Sequence, residues 1–181
     1  MNGPPNWFER KFEFTFPVEQ YSNLSVGLRG TPVRVEEMVR GAEREVLVWR
    51  RQGGDQWSAQ EHVGHLLDLE PLWMARVDDY LTEASELTVA DLSNRKTHEA
   101  QHNLRPIDEI LDEFRSARSL LVNRVEKIDP AILGRAIPHP RLKTPMRLVD
   151  HLYFVAEHDD HHLAHIRALL DANQAQARIK K

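Results

Sequence analysis

The sequence predicts an all-α fold: four long amphipathic helices packed as a bundle, with an extended N-terminal arm. Three observations carry this prediction. Four segments place apolar residues at intervals of three and four, the period of a helix face. Cap and proline signals stand at the starts of these segments. Strict alternation, the mark of a strand, is confined to one short stretch near the N-terminus.

That stretch is KFEFTF, Lys11 to Phe16. Phe12, Phe14 and Phe16 point one way, and Lys11, Glu13 and Thr15 the other. A single strand cannot stand alone. It lies against the bundle, pairs with the RAIPHPRL segment, or joins a second subunit. The arm is assigned to residues 1–30, the bundle to 31–175 and a short tail to 176–181.

The first helix is expected to open at Thr31-Pro32, a cap residue followed by proline at the first helical position. Val33, Met38, Val39, Val46 and Leu47 form its stripe, which ends near Arg51, before Gly53-Gly54. The second opens at Ser58, where SAQE has the form of a capping box closed by Glu61, with Trp57 at the staple position. Val63, Leu66, Leu67, Trp73, Val77 and Leu81 carry its inner face. A long polar connection follows, about Thr82 to Arg105, with a short helix expected near Val89 to Arg95. Long ordered connections are often functional, and this one is placed to cover a site. The third helix opens at Pro106 and carries Ile107, Ile110, Leu111, Phe114, Leu121 and Val125, stopping before Asp129-Pro130. Arg118 and Arg124 on it read as surface charges. The fourth opens at Thr144-Pro145 and runs through Leu148, Leu152, Val155, Leu163, Ile166 and Leu170.

A length of 181 residues fits one domain with a core of its own. No apolar run approaches the roughly 20 residues needed to cross a bilayer. The N-terminus lacks the apolar run of a secretory signal, so the cytoplasm is the expected location. The net charge of −4 comes with no basic block, which argues against nucleic acid as a partner. There is no cysteine. Disulfides, thiolate ligands and a cysteine nucleophile are therefore excluded, and any metal must be held by imidazole and carboxylate.

The stretch EHDDHHLAHI, Glu157 to Ile166, holds four of the chain's ten histidines. Residues four apart lie one turn apart on nearly one helix face. Two pairs have that spacing, His158 with His162 and His161 with His165, and spacing alone does not choose between them. A solvated polar face would show the same pattern, so a site needs a third ligand from elsewhere. His65, among apolar neighbours on the second helix, is the candidate, and bundle cores are a usual place for such sites.

WSAQEHVGHLLDLE and EHDDHHLAHI together resemble the paired signatures of the DinB/YfiT-like superfamily of four-helix metal-binding proteins. The resemblance covers about residues 31 to 172. It implies that the ligands are His65, in His65-Leu66-Leu67-Asp68, and His161 and His165, the first of the doublet and the last histidine of HHxxHI.

Three neutral imidazoles suit zinc or nickel, with iron or copper as alternatives, and do not suit magnesium or calcium. With no evident fourth protein ligand, such a site is expected to stay open for chemistry. Asp68, Glu157 and Asp160 are expected to orient the ligands. His158 and Glu157 are the candidates for handling protons. His62 and His162 are expected to face solvent or to pack, and His98 and His102 to form a lid or decorate the loop. Trp73, Met74 and Tyr80 read as core or pocket lining. The resemblance implies a thiol-dependent S-transferase acting on electrophiles, with a low-molecular-weight thiol as cosubstrate. The alternatives are a metal-dependent hydrolase and a non-catalytic, metal-stabilised stress-response or binding module. The expected partner is a small-molecule substrate, and a homodimer is compatible with the exposed arm.

Overall fold

The computed structural model describes residues 4–52 and 57–179. The glycine pair Gly53-Gly54 and the last two lysines of the expected tail lie outside them.

Six helices and a two-stranded ribbon follow one another: α1 (Tyr21–Val39), α2 (Arg44–Leu47), α3 (Ala59–Thr82), α4 (Arg95–Glu99), α5 (Ile107–Val125), β1 (Ala136–Pro138), β2 (Pro145–Arg147) and α6 (Leu148–Ile179). The four long helices form the bundle. α3 and α1 each pack mainly against both α5 and α6. Consecutive long helices, α1 with α3 and α5 with α6, therefore lie across the bundle's diagonals.

α1 starts eleven residues earlier than the Thr31-Pro32 signal predicts, so residues 21–30 are helix and not arm. Pro32 sits inside the helix. It has no N–H to give the carbonyl of Leu28. Arg118 Nη1 on α5 donates to that carbonyl instead, at 3.3 Å. The proline is thus tolerated because a neighbouring helix satisfies the group it leaves open. The helix stops at Val39, and Gly41 follows with φ of +72°, the left-handed conformation that ends helices.

α3 begins as expected. The Ser58 side chain accepts from the Glu61 backbone and the Glu61 side chain accepts from the Ser58 backbone. α5 begins just after Pro106. α6 does not start at Thr144-Pro145. Pro145–Arg147 pairs with Ala136–Pro138 as an antiparallel ribbon, with Ile137 opposite Met146. The helix starts at Leu148, where Asp150 Oδ2 accepts from the Arg147 backbone at 2.8 Å. Thr-Pro also suits the first residue of a short strand, and burial of Ile137 and Met146 decides for the ribbon.

KFEFTF forms no strand. Its alternation is real but serves another purpose. Phe12, Phe14 and Phe16 are half-buried against α6, and the residues between them face water. Phe12 packs on Phe154 with ring centroids 5.0 Å apart, and Phe16 on Tyr153 at 5.1 Å. The short helix of the long connection lies at Arg95–Glu99, not Val89–Arg95.

The core is split. One apolar cluster holds Leu24, Leu28, Trp73, Val77, Leu121, Leu152 and Val155. The other holds Val35, Val63, Leu66, Ile110, Phe114, Leu163 and Ile166. A polar layer crosses between them, with Thr31, Glu70, Arg118 and Asp159 coming from one long helix each. Arg118 is not a surface charge: it is 1% exposed. It bonds Glu70 Oε1 at 2.6 Å and Asp159 at both carboxylate oxygens. Arg124 is at the surface, as expected, paired with Asp78 at 3.0 Å.

Candidate metal centre

The histidines gather beside this polar layer, between α3 and α6. Ring nitrogens of His65, His158 and His162 lie within 4.8 Å of one another, and all three side chains are buried. His158 Nε2 and His162 Nε2 are 3.2 Å apart. Two donors each about 2.0–2.1 Å from a tetrahedral ion stand roughly 3.3 Å apart.

The second nitrogens of His65 and His162 fit the same arrangement, while Nδ1 of His158 is buried without a hydrogen-bond partner among the described residues. His65 Nδ1 is 3.0 Å from Thr97 Oγ1 on α4, and Thr97 in turn bonds Asp68. His102 Nε2 is 2.8 Å from Asp68 Oδ2. His162 Nδ1 is 2.8 Å from His62 Nδ1. With the proton on Nδ1 of His65, donated to Thr97, and on Nδ1 of His162, donated to His62 Nδ1, the Nε2 atoms of His65 and His162 are left with free lone pairs. Burial, reinforced by neighbouring histidines, pushes His65 down to about 3. The same causes hold His158 and His162 well below the ordinary imidazole range. All three are thus neutral, the form that ligates a metal. Burial is the largest single influence on Asp68 and acts to raise it, but His102, the bond from Thr97 and the charge of Lys96 together outweigh it and hold the carboxyl below its usual range.

The structure places the expected residues unequally. His65 belongs to the trio. His158, expected to handle protons, belongs to it too. His161 and His165 are half-buried on the neighbouring strip of α6. His161 lies against Trp7 at 5.5 Å, and His165 stacks on His62 at 4.9 Å. The convergent group therefore takes His158 and His162 where the resemblance implied His161 and His165. His62 and His162 are both buried, not solvent-facing. Glu157 is bonded to Arg10 of the arm, and Asp160 to Arg34.

The helical period explains the choice. At 100° per residue the apolar stripe of α6 centres on the direction of Asp159. His162 lies roughly 60° from it and His158 roughly 100°, whereas His165 and His161 lie roughly 120° and 160° away. Thr97 and His102 carried no such signal, because the path of the connection is not periodic.

A cavity of about 660 Å³ opens onto the trio. α3 contributes His65, Leu69, Leu72 and Arg76, spaced along one face, and α6 contributes Phe154 and the histidines. The arm closes one side: Trp7 packs edge-on to His158 at 5.1 Å and to Phe154 at 5.1 Å. The long connection closes another with Val89 to Leu92, and Trp57 covers His65 at 4.7 Å. Trp73 lines the cavity as well as the core. Met74 and Tyr80 belong to the core. His98 lies on Trp57, and His102 is buried under the connection. Asp91 is the one carboxylate among the described lining residues. It is occupied by Ser93 and the backbone of Arg95. Among the described residues no helix is long and apolar enough to cross a membrane.

Comparison with known proteins agrees with this fold. YfiT from Bacillus subtilis, a probable metal-dependent hydrolase with an unusual four-helix bundle topology, superposes with a TM-score of 0.75 at 22% identity, over 89% of this chain and 91% of that one. No match was found among curated proteins. The family model of the DinB superfamily matches residues 28–166, most of the length and both histidine-bearing helices. The chain belongs to the DinB superfamily.

Proposed function

We propose that this protein is a divalent-metal-dependent enzyme, first of all a hydrolase, whose ion is held by His65, His158 and His162. The convergence of these three buried, neutral imidazoles at the end of a roomy cavity carries the reading. When bound, such an ion supplies Lewis acidity, drawing the pKa of water to about 7 or ionising a thiol outright. Zinc and nickel suit the donor set best, and iron is compatible with it.

The chain's own residues do the rest. Thr97 and Asp68 hold His65 in one tautomer, and His62 does the same for His162. The aromatic walls exclude bulk water from the reacting end, where charge interactions then act more strongly. The fold neighbour YfiT supports hydrolysis as the reaction.

A second reading, transfer of a low-molecular-weight thiol to an electrophile, has one observation in its favour. The one carboxylate among the described residues of the cavity wall is already engaged, so no free carboxylate stands ready there as a base. A thiol ionised by a metal needs none.

The test is elemental analysis of untagged protein, joined to panels of esters and amides and of thiols with an electrophile. Wild type should hold one divalent ion and turn over one panel. His158→Ala and His162→Ala should lose both ion and turnover. Turnover that survives complete chelation would overturn the metal reading. Ion binding that raises the melting temperature, with neither panel turned over, would favour a metal-stabilised binding module instead.

A further inference from the structure

The cavity has a second polar end, away from the histidine trio. His65, Leu69, Leu72 and Arg76 lie along one face of α3, and Arg76 stands about 16 Å along the axis from His65. Arg76 is 2% exposed, yet among the described residues no carboxylate pairs with it. Its Nε donates to the Thr88 carbonyl at 2.9 Å, and its guanidinium lies over Trp73, the ring that also meets His158. Arg141, from the turn between β1 and β2, reaches the same wall. Its guanidinium lies over Phe8 and Phe154, and its buried Nη2 has no hydrogen-bond partner.

His139 shows what this end lacks. Its Nδ1 accepts from the backbone N–H groups of Arg141 at 3.1 Å and Leu142 at 3.2 Å. A neutral imidazole carries one proton, so that proton sits on Nε2. Arg76 Nη1, which can only donate, is 3.2 Å from that Nε2. Two N–H groups therefore face each other with no acceptor between them. Together with Arg141 Nη2, three donors on one cavity wall lack an oxygen. Buried donors without an acceptor are rare in folded proteins and mark a missing partner.

We propose that Arg76, His139 and Arg141 form a subsite for a substrate carboxylate, holding an elongated, largely apolar acid with its reactive centre at the histidine trio. Guanidinium forks match the planar carboxylate. The apolar stretch between the two ends, Leu69, Leu72 and Phe154, matches a hydrocarbon or aromatic spacer. Burial and the nearby Arg141 keep Arg76 below its ordinary range, down to about 10, so it remains charged at neutral pH. This inference rests on the metal reading for the reactive end only.

The experiment titrates full-length protein with octanoate, octanamide and octyl phosphate, following tryptophan fluorescence, to which Trp7, Trp57 and Trp73 contribute from the cavity wall. It is run on metal-loaded and on chelated protein. Octanoate should bind at least tenfold more tightly than octanamide in both, and Arg141→Met should abolish that preference. Arg141 lies in a turn, and circular dichroism checks that the variant folds. Equal binding of acid and amide, or a preference untouched by Arg141→Met, would overturn the subsite. So would a preference that disappears with the ion, since the acid would then be sitting on the metal. Tighter binding of octyl phosphate would overturn the assignment to a carboxylate. A preserved acid preference in protein that takes up no divalent ion would overturn the metal reading alone and leave the subsite standing.

Discussion

At the scale of single residues, the site depends on contacts that change little in sequence and much in geometry. Gly64 is one. A Cβ there would stand 2.2 Å from the His102 ring. Helix propensity alone would make Gly64→Ala stabilising by about 1 kcal/mol. The expected outcome is the reverse, a lower melting temperature, because His102 must move off Asp68. An unchanged or raised midpoint in thermal denaturation would contradict this placement. Thr97 is another. Thr97→Val removes the oxygen that His65 Nδ1 meets, and loss of such an orienting partner typically weakens metal affinity 10- to 100-fold. Competition with a chromophoric chelator measures it, and an unaltered dissociation constant would show that Thr97 does not position His65. The two α6 histidine pairs were visible in the sequence as alternatives. Only their angle from the apolar stripe separates them, and the packing of α6 on α3 makes that angle decisive.

At the scale of elements, the polar layer sets the register of the four long helices. Arg118 binds Glu70 of α3, Asp159 of α6 and the Leu28 carbonyl of α1 at once. Breaking a buried ion cluster by removing one partner costs about 3–5 kcal/mol, because the remaining charges are left in a poor solvent. Arg118→Leu should therefore destabilise by that order, as read by urea denaturation. Glu70 gives a pH signature. Burial, against the pull of Arg118, pushes its carboxyl up to about 7. A folded-state value raised above the unfolded one means that its contribution to stability is lost as pH rises from about 4.5 to 7. Glu70→Gln should thus gain on wild type over that window, by on the order of 2 kcal/mol. Parallel denaturation curves at pH 5 and pH 7.5 test this, and a constant difference between the two proteins would contradict it. The sequence misled about Arg118, although it falls on the apolar stripe four residues after Phe114 and three before Leu121, because nothing local shows the carboxylates that make a buried guanidinium tolerable. Its partners come from three other helices.

At the scale of the whole molecule, the arm and the long connection convert a groove between helices into a cavity. Trp7 touches both His158 and His161, and Arg10 ties the arm to Glu157. Trp7→Ala should leave ion affinity nearly unchanged while a chelator strips the ion several-fold faster, because the arm gates access. Stopped-flow removal with a chelating dye measures the rate, and equal rates would show that the arm is no gate.

Taken alone, the sequence determined the helical class, three of the helix ends to within a residue or so, and the two segments that carry the histidines. These follow from short-range chemistry: the 3.6-residue period, the Ser58–Glu61 capping box and the proline before α5. It also determined that the arm has one apolar and one polar face, and the structure decided that the apolar one meets the bundle. Tertiary structure decided that Pro32 lies inside a helix, that Pro145 begins a ribbon strand, that His158 and His162 join His65, and that Arg76 and Arg141 share one wall. Each of those outcomes depends on a partner distant in the chain, a hydrogen-bonding group for the prolines and a facing helix or turn for the histidines and arginines, and a local pattern holds no record of that partner.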